Sequence, residues 1–373
     1  MRLLYITDAL AIWGGIERIL VDKANYFADN YGYDVHLVTV NQGSHPILFP
    51  ISEKVHYNDF DIRFHQQYDY RGIYRLIKKW KLKKLFVDRL RIYMDIVKPD
   101  IILTARTELI SGITAAKGNV PLVFESHSSY IVHRYLSDGC FSFVKSELLN
   151  RNVKYAKMVV ALTNGDALEW RKVTKNVCVI PNIVHLNDTG RYSNCKNKIA
   201  IFVGRFSRQK DIGSLLRIWF IVHQRFPDWE LHIYGGFGEE QESIINAIDK
   251  MNSNIKVYHP TSAIFEKYCE SSILLLTSLF EPFGLVLPEA MSCGIPVVAF
   301  DCPYGPHDII RDGVDGFVVG NRDLELFAEK VCLLMNNYDL RVKMGREGML
   351  SSARYKDSRI MPQWIRLFMS LKE

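Results

Sequence analysis

Ile273-Leu274-Leu275-Leu276-Thr277, followed by Glu281-Pro282-Phe283-Gly284 and then Pro288-Glu289, is the stretch that decides the fold class. The first five residues are apolar and partly branched, the composition of a short parallel strand buried on both faces. Glu281 then falls at the carboxyl end of that strand. Pro288 suits the first position of a helix, because its missing N–H is an orphan there and its φ is already helical, so Glu289 lies in the first turn. Gly294-Ile295-Pro296 stops the helix, and Val297-Val298-Ala299-Phe300 supplies another strand. Strand, loop, helix, strand is the unit of an open α/β sheet, and such sheets bind ligands at their strand ends.

Two carboxylates and a glycine turn at one junction suit a sugar nucleotide. Backbone N–H groups of Phe283, Gly284 and Leu285 can face a phosphate, with Gly284 permitting close approach and the helix dipole favouring the anion. Glu289 can grip the vicinal diol of a ribose, and Glu281 the hydroxyls of a sugar beyond the diphosphate. A purely structural account leaves Glu289 as a complement to the helix N-terminus, worth ~0.5 kcal/mol, and Glu281 as a solvated loop acid. The segment Phe202 to Asp211 separates the two accounts. An apolar strand from Ile199 to Val203 ends at Gly204, and Arg205 and Lys210 flank the turn before a helix near Ile212. Arg205 can bind two oxygens of a diphosphate while Lys210 acts as a mobile point charge.

Val203-Gly204-Arg205-Phe206 with Lys210, and Glu281-x-Phe283-Gly284-x-x-x-x-Glu289, resemble the two signature segments of family 4 of the retaining glycosyltransferases. The resemblance implies an α/β protein of the GT-B fold: two Rossmann-like domains with parallel sheets facing a central cleft, and a C-terminal helix returning to the first domain. It covers nearly the whole chain. Gly14-Gly15-Ile16-Glu17-Arg18, after the buried strand Leu3 to Ile6, is similar to the family's first glycine loop, which approaches the transferring group. His127, ending the strand Val123-Phe124-Glu125-Ser126, matches the histidine of the catalytic cleft. Leu231 to Gly238, with Gly236, resembles the glycine loop near the nucleotide. The implied catalytic residues are His127, Arg205, Lys210 and Glu281. The implied donor contacts are Gly14, Gly15, Gly204, Arg205, Lys210, Gly236, Phe283, Gly284, Leu285 and Glu289. Val257-Tyr258-His259-Pro260 departs from the pattern, where a glycine is usual. So does Asp301-Cys302-Pro303-Tyr304-Gly305-Pro306-His307, which is similar to bacterial polysaccharide transferases.

The resemblance implies transfer of a hexose or N-acetylhexosamine from a nucleotide diphosphate sugar, a UDP-sugar, to a glycan acceptor on polyprenyl diphosphate, with retention and without a metal or other cofactor. A sugar-nucleotide epimerase on the same scaffold and a non-catalytic partner subunit are the alternatives. A nicotinamide oxidoreductase is disfavoured, because Gly14-Gly15 lacks the dinucleotide glycine spacing.

The 373 residues, 48% of them hydrophobic, exceed one ordinary core and predict two domains. These are placed at 1–185 and 186–355, with a terminal helix over 356–373, and the polar run Asn187 to Asn197 reads as the linker. Met361, Trp364, Ile365, Phe368 and Leu371 lie at helical spacing on that last segment. Seven cysteines without metal-type spacing suit a reducing compartment, and no run approaches the ~20 apolar residues that span a bilayer. The expected location is cytoplasmic. Asp59-Phe60-Asp61, superficially a metal-binding acid pair, reads as surface. The net charge of +6 is concentrated: nine cations lie between Arg71 and Arg91 against Asp88 alone. On a helix, Ile73, Leu76, Ile77 and Trp80 would gather on one face with Arg71, Arg75, Lys78 and Lys79 opposite. That pattern predicts either an interfacial helix drawn to anionic lipid at the inner membrane surface, or a core-packed helix with a solvated face. A nucleic-acid partner would account for the charge but not for the carboxylates and the Gly-Arg loop.

Overall fold

The computed structural model describes residues 1–12, 14–127, 130, 147–148, 150–236, 238–251 and 253–372. Its first sheet has seven strands: β1 (Arg2–Thr7), β2 (Asp34–Thr39), β3 (Val55–Asp59), β4 (Ile101–Thr104), β5 (Leu122–Ser126), β6 (Met158–Ala161) and β7 (Val177–Val179). They lie in the order β3-β2-β1-β4-β5-β6-β7, with every pairing parallel. The second sheet has six: β8 (Ile199–Arg205), β9 (Glu230–Gly236), β10 (Ile255–Tyr258), β11 (Ile273–Leu276), β12 (Val297–Phe300) and β13 (Gly316–Val319). Their order is β10-β9-β8-β11-β12-β13, again all parallel. Parallel sheets need cover on both faces, and the wholly apolar, fully buried β4 and β11 meet that condition.

The described helices of the first domain are α1 (Gly15–Tyr31), α2 (Gly72–Val97), α3 (Thr107–Ala116) and α4 (Asn164–Trp170). Those of the second are α5 (Ile212–Arg225), α6 (Gln241–Asp249), α7 (Ile264–Cys269), α8 (Val286–Ser292), α9 (Gly305–Ile309), α10 (Leu324–Asn336) and α11 (Tyr338–Ser352), and the chain ends in α12 (Asp357–Lys372). Each sheet is sandwiched between two apolar layers. On one face of the first sheet, α1 and α12 pack on Leu3, Tyr5, Val35 and Leu103; on the other, α2, α3 and α4 cover Leu4, Ile6, Ile102 and Phe124.

The last helix returns to the first domain through Ile360, Met361, Trp364, Leu367 and Phe368, and Phe368 meets Phe27 with ring centroids 5.3 Å apart. Burying five such side chains at roughly 1.5–3 kcal/mol each makes this docking a major contact between chain end and chain start. Met361, Trp364 and Phe368 hold the buried positions read from sequence, while Ile365 and Leu371 sit at the margin and Ile360 and Leu367 complete the stripe. Asn187 to Asn197 is not a free linker: the Asn187 amide donates to Ser292 Oγ at 3.0 Å, Ser193 N to Cys293 O at 2.9 Å, and Cys195 is buried. The passage between domains is the shorter Pro181-to-His185 segment. Six described cysteines are free, and no described helix is long and apolar enough to cross a membrane.

Candidate functional site

The site is built from two sheet edges that face each other. In the second domain β8 runs on to Arg205 and passes β9 so closely that a Cβ on Gly235 would stand 1.9 Å from Gly204 O. Gly236 follows at φ +130°, a backbone state that a side chain disfavours. After the turn, Asp211 caps α5, accepting from the Ser214 amide at 3.2 Å and hydroxyl at 2.7 Å. Thr277 Oγ1 donates to the Lys210 and Asp211 carbonyls at 3.0 and 3.1 Å, which laces this turn to the end of β11. Lys210 is thereby aimed at Glu281, and the two form an ion pair; Ser278 Oγ donates to the same Glu281 oxygen at 2.7 Å. Arg205, the last residue of β8, is exposed and without a partner among the described residues.

Phe283 and Gly284 divide their work. The Phe283 ring is buried edge-on against Tyr355 at 5.2 Å, which anchors the loop, while Gly284 turns the backbone at φ +89°. The helix that follows begins at Val286, not at Pro288 as its sequence suggests. Pro288 is tolerated there because every N–H of a first turn lacks an intrahelical acceptor. Glu289 keeps its place near the helix start but is buried rather than solvated. Its Oε1 lies 3.4 Å from Arg18 Nη1 and its Oε2 3.5 Å from the Tyr268 hydroxyl. Burial pushes this carboxyl up to about 7, against the pull of Arg18, His185 and Tyr268. The carboxyl ends of β9 and β10 frame a pocket of about 360 Å³ beside these loops, lined by Gly235, Gly236, Val257, Tyr258 and His259 among others. The departing Val257-to-Pro260 segment thus forms pocket wall; Phe237 lies outside the described residues.

The first domain contributes the ends of β1, β4 and β5. Gly14 caps α1 in extended conformation, and Gly15 opens the helix opposite Leu285, whose Cδ1 would be 3.4 Å from a Cβ there. Arg18 then reaches across to Glu289. Glu17 turns inward, where Arg106 Nη2 at the start of α3 donates to it at 2.8 Å. At the end of β5, His127 is buried with Nε2 3.0 Å from Glu125 Oε2. Glu125 also pairs with Lys23, whose ammonium sits 3.8 Å above the Trp364 ring of α12. Burial would raise the Glu125 carboxyl, but Lys23 and His127 outweigh it and hold it down at about 2. An ionised Glu125 can only accept, so Nε2 of His127 donates in this contact. The hydrogen-bond partner of His127 thus lies within the first domain. On the far flank, the Asn164 amide donates to Asp308 at 2.5 Å, and Tyr304 packs on Gly165.

Several members of the site escape a motif-based reading. Arg322 ties the loops after β8 and β11 together, pairing with Asp211 and donating to the Ser278 and Thr277 carbonyls at 3.0 and 3.1 Å. It lies over forty residues beyond Glu281, with no local signal. Lys23 and Glu125 did leave one, a charge within an otherwise apolar helix face and strand. Asp59 and Asp61 have structural partners: Thr39 donates to Asp59 at 2.9 Å and Asp61 pairs with Arg63.

Two family models match consecutive halves of the chain: Glycosyltransferase Family 4 over residues 13–188 and Glycosyl transferases group 1 over 190–350. The chain is 29% identical to the amylovoran biosynthesis glycosyltransferase AmsD of Erwinia amylovora, over 97% of this chain and 98% of that one. It is 21% identical, over 96% of each, to a Campylobacter jejuni enzyme named as an α-1,4-N-acetyl-D-galactosaminyltransferase acting on a diNAcBac-PP-undecaprenol-linked glycan. Among solved structures, Staphylococcus aureus TarM, crystallised with UDP and α-GlcNAc-glycerol, superposes with a TM-score of 0.80 at 16% identity, over 98% of this chain and 99% of that one. Two matched halves, full-length relatives and the GT-B architecture agree, and the chain belongs to the family 4 glycosyltransferases, enzymes of bacterial polysaccharide and related glycan synthesis.

Proposed function

We propose that this glycosyltransferase moves a hexose or N-acetylhexosamine from a UDP-sugar to a hydroxyl of a polyprenyl diphosphate-linked glycan, with retention at the anomeric carbon. The observation that carries the reading is the Lys210–Glu281 pair in the loops after β8 and β11, with Arg205 exposed at the end of β8, without a partner among the described residues, and the Gly14-Gly15 loop opposite. Lys210 and Glu281 are ion-pair partners of each other. A diphosphate arriving between Arg205 and Lys210 would take the ammonium and free Glu281, still held by Ser278, for sugar hydroxyls. Glu289 would take the ribose and the pocket at β9 and β10 the base. The names of the Campylobacter relative and the contents of the TarM crystal support the lipid-linked acceptor and the uridine nucleotide.

In the reaction, the bond from the anomeric carbon to the diphosphate oxygen breaks with its electron pair going to oxygen. The acceptor hydroxyl bonds that carbon from the same face, and its proton passes to the departing phosphate. Arg205, Lys210 and the Gly284 turn stabilise the growing negative charge, a preorganised electrostatic effect of the kind usually worth most in catalysis. With two cations at the diphosphate, a divalent metal has no required role, and turnover should survive EDTA. The test is UDP release from a panel of UDP-sugars with and without a polyprenyl-linked glycan, with the anomeric configuration of the product read by NMR. Acceptor-dependent release with retention, reduced by roughly 10²- to 10³-fold in Lys210→Ala and Glu281→Ala, is expected. Isomerised UDP-sugar formed without acceptor would replace this reading with an epimerase.

A further inference from the structure

Helix α2 leaves its apolar row uncovered in its first turns. Its buried residues, Leu82, Phe86, Val87, Leu90, Met94 and Val97, all lie beyond its first ten positions. In those first turns every residue but Lys78 is exposed; Lys78 donates to Gln66 at 3.1 Å, and the Arg75 guanidinium rests 4.4 Å above the Tyr68 ring. The apolar row faces solvent, with Ile73 67%, Leu76 66%, Ile77 44% and Trp80 63% exposed. A core-packed helix with a solvated polar face is therefore excluded. Lys79, Lys81, Lys83 and Lys84 surround the row without an acidic partner among the described residues, Lys84 reaching over the Trp80 ring at 5.8 Å.

Topology places this ridge. The 26 residues of α2 span ~39 Å, against under ~20 Å for the strands it covers. The helix starts after β3, at the carboxyl edge of the first sheet, so its exposed end projects on the side where Gly14, Gly15 and His127 lie.

We propose that residues 71–84 form a membrane-docking ridge that inserts Ile73, Leu76, Ile77 and Trp80 into the headgroup boundary of an anionic bilayer. Charge and shape choose the occupant. A second copy would bring the same crowded cations against these. A peptide partner needs a groove, whereas a convex row of aliphatic side chains and tryptophan, flanked by lysines that extend toward phosphates, matches a deformable anionic surface. Docked this way, the edge bearing the first glycine loop is turned toward the lipid. The inference needs neither donor nor acceptor, so it stands or falls separately from the reaction proposed above.

The experiment is co-sedimentation of the full chain with phosphatidylcholine vesicles, with and without phosphatidylglycerol, at low and high salt. Binding only to the anionic vesicles is expected, weakened about fivefold for each of Lys79→Gln, Lys83→Gln and Lys84→Gln. Ile77→Ser and Trp80→Ser should each weaken it about tenfold with little change in the melting curve, because both side chains lie outside the packed core. Quenching by brominated lipid, lost in Trp80→Phe, reads insertion without a disruptive substitution. Equal binding to neutral vesicles, no binding, or anionic binding indifferent to Ile77 and Trp80 would overturn insertion. A dimer in ultracentrifugation that Ile77→Glu dissolves would assign the ridge to a second copy.

Discussion

Glu125 and Glu289 are both buried, one in each domain, yet their carboxyls are driven in opposite directions. Burial is the largest influence on both. At Glu125 a lysine and a histidine are packed against the carboxylate inside the first domain, and they bring it down to about 2. At Glu289 the nearest cation is Arg18, reaching from the opposite domain at 3.4 Å and itself partly solvated, and the carboxyl stays up near 7. A buried acid with an enclosed partner is committed to structure, here to orienting the His127 ring through Nε2. One whose partner lies across a cleft keeps hydrogen-bonding capacity for a ligand.

Breaking the enclosed pair should have the largest effect. Glu125→Leu strands the Lys23 ammonium under Trp364 and should cost about 3–5 kcal/mol in urea denaturation, with Lys23→Met added to it recovering much of the loss. If Glu125→Leu alone costs under ~1 kcal/mol, the two glutamates do not differ as described. The two acids should also imprint opposite pH dependences. Glu125 has a lowered folded value, so its contribution is present above the ordinary glutamate range and is lost as pH falls toward 2. Glu289 has a raised one, so stability is lost as pH rises from about 4.5 to about 7. Glu289→Gln should remove that second loss, making the variant about 3 kcal/mol more stable than the parent above pH 7 and little different at pH 4, while weakening UDP-sugar binding. A parallel loss at both pH values would show that Glu289 is a structural acid after all. The smallest effect is expected from Arg18→Ala. Removing the cation across the cleft should shift the Glu289 titration upward by less than ~1 unit, about 1 kcal/mol, measurable in the pH profile of donor binding. No shift would mean that burial alone sets the state of Glu289.

Much of this machinery was legible locally. The apolar run before Glu281, the Gly284 turn and the Gly204-Arg205 junction depend on propensity and spacing within a dozen residues, and the parallel sheets follow from them. The start of α8 was displaced by two residues, because a proline is compatible with any first-turn position. The amphipathic spacing of α2 was also readable, but not that its apolar row stays uncovered: that depends on where the helix leaves the body of the domain, with Gln66 and Tyr68 as the neighbours of Lys78 and Arg75.

The local order of residues specified the α/β class, the strand-end loops and the candidate residues of the site, because strands, turns and helix starts are set by neighbours along the chain. Only the tertiary structure decided which charges are enclosed. Lys23 meets Glu125 across 102 positions and Arg18 meets Glu289 across 271, and the protonation of a buried acid follows from what surrounds it in space.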